Sequence, residues 1–356
     1  MARGARLPQL GGMRGAATVG LLILLAACGN KEAVDPHACG SPAYDCLGGA
    51  CVAGVCQPVL LAQSTGVSAV AVDEARVYWI PTFTGTIDWA AKDGSAQGVL
   101  ASVPECAAQL WPMLAVDASF VYAVCGLELF AIAKDGTATT TLLDAGATAV
   151  AVSPSGEVVV AANGVIESWP PDGGAPLAHG VANYNLVADD AGAYWSDFYP
   201  YPFMFDVPCK DQSSIYALRD GSVTSSAGRP APLGMMSNGD ALVWTDMCAG
   251  TVNVLDRTGA TTAVASGLGQ TPSTGWFSSG PFAATGALAA DRSAAYVFVT
   301  TRRPPWSLVR VSLDGGAPKD LGADTTQPSN VAIDDVAVYF GSGDADGGVY
   351  RLAKPR

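Results

Sequence analysis

Groups able to do acid, base or nucleophilic chemistry are scarce in this chain. His37 and His179 are the only imidazoles among 356 residues. His37 falls beside a cysteine-rich segment and His179 at the end of a short apolar run, positions that suit solvation or packing better than proton transfer. No serine occupies a G-x-S-x-G elbow. Asp344 and Asp346 in "GSGDADGG" offer two carboxylates to a cation, but the further oxygens and the distal glutamate of an EF-hand loop are missing, so a solvated loop accounts for them. Asp73, Asp117, Asp189 and Asp334 form a more suggestive set, because a metal-dependent hydrolase gathers acidic side chains around an ion. They recur at one position of a repeat, which fits a turn role better than a unique site. No catalytic residue, metal ligand set or cofactor is therefore expected.

The nine cysteines carry the remaining chemistry. Cys28 follows "AATVGLLILLAA", residues 16–27, which is itself preceded by Arg3, Arg6 and Arg14. A basic start, a short apolar core and small residues before a cut describe an export signal. Twelve apolar residues fall short of the roughly 20 that cross a bilayer as a helix. "LAAC", residues 25–28, resembles the lipobox of bacterial lipoproteins, which implies lipidation at Cys28 after removal of residues 1–27. Glycine rather than aspartate follows at position 29, which favours the outer membrane as the destination.

Eight cysteines remain, an even number, as oxidation outside the cytosol predicts. Cys39, Cys46, Cys51 and Cys56 lie within eighteen residues, a segment too short to bury a core of its own without cross-links. Three pairings satisfy them and the spacing selects none; a zinc site is the alternative. The segment resembles the small EGF-like elements of secreted proteins, with four cysteines in place of six. The expected organisation is a signal over 1–27, a tether over 28–38, a cysteine-rich module over 39–56 and one domain over 57–356.

That domain is repetitive. Seven eleven-residue segments align without gaps: "VAVDEARVYWI" from Val70, "LAVDASFVYAV" from Leu114, "VAVSPSGEVVV" from Val150, "LVADDAGAYWS" from Leu186, "MMSNGDALVWT" from Met235, "LAADRSAAYVF" from Leu288 and "VAIDDVAVYFG" from Val331. Each reads as two short strands, a and b, around a polar turn of constant length. Downstream of six of them lies a second hairpin, c and d, and five of those six carry Asp-Gly, the pair that a tight turn favours. Four-stranded units at this spacing predict an all-β, seven-bladed β-propeller. The last unit lacks strand d, and residues 57–66 resemble one. They are expected to close the ring as the fourth strand of blade seven.

Three segments, "VYWIPTFTGTIDWAAKDGS", "AYWSD" and "LVWTDMCAGTVNVLDRTG", resemble YWTD repeats of the low-density-lipoprotein-receptor class B type and their bacterial secreted relatives. The resemblance spans residues 57–356 and implies a recognition scaffold.

Successive strands run antiparallel, so b–c loops and d–a links share one end of the ring. All long insertions belong to that end. They include "DFYPYPFMFDVPC" with Phe198, Tyr199, Tyr201, Phe203 and Phe205, and the link that carries Trp276, Phe277 and Phe282; Trp306 is placed in a loop there too. Cys209 and Cys248 fall on adjacent blades, and Cys106 and Cys125 on one link and its blade, so Cys209–Cys248 and Cys106–Cys125 are the expected pairs. Free thiols are the alternative. These aromatic rings either meet a protein or glycan partner or fold inward to plug the ring.

Loss of residues 1–27, with three arginines and no acid, takes the formal net charge from −13 to −16. Nucleic acid is thereby disfavoured as a partner, and so is adhesion to anionic lipid without an anchor. The expectation is an exported, lipid-anchored binding protein; a metal-dependent hydrolase of the sugar-lactonase propeller type is the alternative.

Overall fold

The structure is a computed structural model that describes Cys39 and residues 45–108, 112–169, 176–179, 185–197, 214–219, 221–225, 232–246, 249–268, 288–299, 306–325, 328–343 and 347–355. These lie in one compact unit, residues 37–356. It is a seven-bladed β-propeller preceded by a disulfide-linked module.

Each blade is a four-stranded antiparallel meander, strands a to d in chain order. Blade one comprises Val67–Val72, Arg76–Pro81, Thr86–Ala91 and Gln97–Ser102. Blade two comprises Met113–Val116, Phe120–Cys125, Glu128–Ala133 and Thr139–Leu143. Blade three has Ala147–Val152, Val158–Ala162, Val165–Trp169 and Pro176–His179. Blade four has Leu186–Asp189, Gly192–Ser196, Ile215–Arg219 and Ser222–Ser225. Blade five has Pro232–Ser237, Leu242–Asp246, Thr251–Leu255 and Thr261–Ala265. Blade six has Leu288–Ala290, Ala294–Val299, Trp306–Ser312 and Lys319–Thr325. Blade seven has Pro328–Ile333, Ala337–Ser342 and Gly348–Ala353, and its fourth strand is Val59–Gln63 from the other end of the chain. The a strands touch in sequence around the circle, blade seven against blade one included, so the ring is closed.

Side chains alternate between the two faces of a strand, and here both faces are covered by a neighbouring blade. This is why the b strands read as unbroken apolar runs. In blade one, Val77 and Trp79 pack toward blade seven while Tyr78 and Ile80 pack toward blade two. One apolar cluster fills each of the seven seams. Between c and d, Gly94 has φ +77°, a left-handed conformation that closes the Asp93-Gly94 turn without a side-chain clash.

The cysteine module joins Cys39 to Cys51 and Cys46 to Cys56. Its three buried cysteines pack in one cluster with Leu321, Ala323, Leu352 and Ala353, so the module extends the core between blades six and seven. Arg351 of blade seven donates to the carbonyl oxygens of Leu47 in the module and Lys92 in blade one.

One expectation is corrected. The a–b turn of blade three is a residue longer than the others, since Ser153 N–H bonds Glu157 O whereas Asp73 N–H bonds Arg76 O. Ala151 therefore pairs with Val159, as Ala71 pairs with Tyr78, and Val159 rather than Val158 stands in the tyrosine position.

Candidate functional site at one end of the ring

The two ends of the ring are chemically different. At the end formed by a–b and c–d turns, the repeated aspartate works as a local clasp. Asp73 Oδ1 accepts the N–H groups of Ala75 and Arg76 at 2.8 and 2.7 Å, while Oδ2 accepts the Tyr78 hydroxyl at 2.9 Å. Asp117 with Tyr122, Asp291 with Tyr296 and Asp334 with Tyr339 repeat both features, and Asn238 repeats the turn half. Asp189 bonds Tyr194 and also receives the Ser237 hydroxyl from blade five at 2.9 Å.

At three seams a lysine from the next blade completes the clasp. Lys134 reaches Asp73 and Lys92 reaches Asp334, each at 2.6 Å, and Lys354 pairs with Asp291. Each ammonium also lies 5.4 to 5.9 Å from the ring centroid of the tyrosine involved. Burial alone raises the pKa of Asp73, Asp291 and Asp334, but the lysine and the turn N–H groups outweigh it, so all three are lowered and Asp291 falls to about 2. Burial and the neighbouring carboxylate push Tyr78, Tyr122, Tyr296 and Tyr339 up. These aspartates are engaged in holding turns and seams.

The opposite end carries the b–c turns and d–a links. There the link from blade one to blade two forms a short 3₁₀ turn, Pro104–Ala108, touching strand c of blade one and strand b of blade two. Cys106 in it is bonded to Cys125, with Cα atoms 4.8 Å apart, and Val103 N–H bonds Gly85 O at 2.8 Å. Two large apolar residues are exposed beside this pinned turn, Phe83 at 69% and Leu127 at 51%. Both have left-handed backbones, φ +64° and +73°, which bulky side chains rarely adopt. Strain of that kind concentrates where a surface is used. Sequence reading missed both; the signal was a Phe and a Leu at turn positions normally given to glycine or asparagine.

Trp306 departs from its expected place. It opens strand c of blade six, half buried and packed on the cluster shared with blade seven. His179 ends strand d of blade three. Cys28, His37, Cys209, Cys248, Phe198, Tyr199, Tyr201, Phe203, Phe205, Trp276, Phe277, Phe282, Asp344 and Asp346 lie outside the described residues. Among the described residues, the one grouping of metal-type ligands is Cys39, Cys46 and Cys56, whose sulfurs are already in disulfides.

No protein-family model matches the chain, and no curated protein matches it. Solved structures do. Virginiamycin B lyase from Staphylococcus aureus aligns at TM-score 0.60 and 15% identity, over 84% of this chain and 98% of its own. A streptogramin B lyase aligns at 0.59 and 14%, over 84% and 97%, and YCF48 bound to a D1 peptide at 0.56 and 10%, over 84% and 96%. At such identities the likeness is one of fold. A nidogen/laminin complex aligns at TM-score 0.41 and 18% identity, over 55% of this chain and 77% of its own.

Proposed function

We propose that this chain is an exported propeller, held at the cell envelope by a lipid on Cys28, that binds a protein or glycan through the end carrying the b–c turns and d–a links. The observation that carries this reading is the contrast between the ends. The repeated acidic set at one end has its oxygens engaged by turn N–H groups, tyrosine hydroxyls and lysines. Exposed apolar side chains occur at both ends, Phe120 and Val336 beside the clasped aspartates and Phe83 and Leu127 at the other end, but only the latter pair stands on left-handed backbone beside a disulfide-pinned turn. Pinned loops lose less freedom on binding, which favours recognition. The aromatic run from Phe198 to Phe205 belongs by sequence to the same end.

Crosslinking in intact cells, followed by capture of the chain, tests this. Phe83→Ala with Leu127→Ala, and separately Tyr199→Ala with Tyr201→Ala and Phe203→Ala, are expected to lose the captured partner while circular dichroism stays unchanged. Capture retained by both variants overturns the reading. Calcium or zinc is expected to leave the melting temperature where it is; a saturable rise with either ion moves the assignment to the hydrolase.

A further inference from the structure

Where the chain ends meet, one carboxyl group is set into the seam without a cation. Asp88, on strand c of blade one, pairs with Trp79 on strand b, and alternation puts both on the face that carries Ala90. That face packs on Leu61 and Ala62 of the closing strand, Val59–Gln63. Asp88 Oδ1 is shut off from solvent and accepts no hydrogen bond among the described residues, and the indole N–H of Trp79, its cross-strand neighbour, donates none. Burial raises the Asp88 pKa, and the Thr86 hydroxyl offsets that only in part. A carboxylate buried with a bond unmade favours its neutral form.

The elements around Asp88 supply no neutralising charge. Strand d of blade one, Gln97–Ser102, and the closing strand contain no titratable side chain. On strand b, Arg76 and Tyr78 face blade two, Arg76 over the Trp89 ring. Glu105 of the 3₁₀ turn is exposed, beside Gly126. In blade seven, Arg351 donates to the carbonyl oxygens of Leu47 and Lys92, and Tyr339 donates to Asp334, which also holds Lys92.

Blade five has the same arrangement with a neutral group. Trp244 pairs with Asn253, which is buried and whose Nδ2 donates to Thr251 Oγ1 at 2.9 Å. Thr251 precedes Asn253 by two residues, as Thr86 precedes Asp88. A protonated carboxyl group can donate to a hydroxyl in the same way, and a carboxylate cannot. We propose that Asp88 is a proton-operated latch on the closure of the ring: neutral, it lets blade one pack on the closing strand as Asn253 lets blade five pack on blade four, and ionised, it loosens that seam. Asp88 is half-buried, so its proton is exchanged with solvent. The latch is at full strength below the unfolded value, about 4, and is lost as pH rises through the higher folded value. This sign is opposite to that of Asp73, Asp291 and Asp334, whose pKa values are lowered and which stay largely ionised in the same window. The latch rests on no part of the proposed recognition surface.

Hydrogen exchange of the full chain at about pH 4.5 and about pH 7.5, expressed as protection relative to the unstructured rate at each pH, tests it. In the wild type, protection of Val59–Gln63 and Thr86–Ala91 is expected to fall at least about threefold from the lower to the higher pH. Asp88→Asn is expected to keep the higher protection at both. Should that variant not fold, Asn253→Asp decides, with protection of Thr251–Leu255 expected to become pH-dependent in the same sense. Wild-type protection that does not fall, an unchanged pH dependence in Asp88→Asn, or a pH-independent Asn253→Asp where it decides overturns the proposal.

Discussion

Asp291 concentrates what the repeated aspartate does. Burial disfavours its charge, yet Lys354 and the N–H and hydroxyl of Ser293 bring its pKa from 3.8 to about 2. A carboxylate with a folded pKa below its unfolded one contributes stability above the unfolded value, and that contribution is lost as pH falls through the folded value. For Asp291 the window runs from about 4 down to about 2, and the shift corresponds to about 2 kcal/mol. Asp73 and Asp334 shift in the same direction. Lys354→Met is therefore expected to lower stability at pH 7 by about 1 to 3 kcal/mol, with the difference from wild type shrinking toward pH 2. Lys354 also donates to the Asp334 carbonyl, which does not titrate, so a small gap remains at low pH; urea unfolding at both pH values checks this, and a gap as large at pH 2 as at pH 7 would contradict the assignment. The aspartates themselves were legible in the sequence because each precedes a turn at a fixed offset. Their lysine partners were not, since Lys92 and Asp334 stand 242 positions apart and no local pattern links them.

Among the elements, the closing strand and the cysteine module act together. Val59–Gln63 pairs with Gly348–Ala353, and the module that precedes it is packed against Leu352 and Ala353. Residues 57–66 were readable as a displaced strand d because the last unit lacked one. The docking of the module was not, because four cysteines in eighteen residues predict cross-links whether or not a neighbour is present. Blade three shows another limit: Val158, Val159 and Val160 are identical, so a one-residue insertion in the turn before them leaves no mark in an ungapped alignment. Removing one module disulfide by Cys46→Ala with Cys56→Ala is expected to cost about 2 to 4 kcal/mol. Because the module belongs to the core between blades six and seven, amide exchange should speed up first in Leu321–Ala323 and Val349–Ala353. A loss confined to residues 45–56 would instead mark the module as an independent appendage.

Among the described residues, the lysine clasps are unevenly distributed around the ring. They join blade six to seven, seven to one and one to two, the arc that also holds the chain closure and the docked module. The opposite arc relies on other contacts. Asp117 keeps its tyrosine, with no lysine partner among the described residues; blade three has Ser153 and Val159 in place of the pair; the seam between blades four and five uses the Ser237 hydroxyl. Between blades five and six, among the described residues, Asn238 donates to the Asp291 carbonyl at 3.4 Å and Arg292 meets Asp240 in an exposed pair, also at 3.4 Å. Parts of a domain with fewer buried polar ties open at lower free energy than the rest. Native-state hydrogen exchange at pH 7 is thus expected to rank strand b of blades three to five below strand b of blades six, seven, one and two. Acidification through the pKa of the clasped aspartates should narrow that difference, because protonation releases the lysines without touching the apolar seams. Equal protection around the ring at pH 7 would show that the hydrophobic clusters alone set its cooperativity.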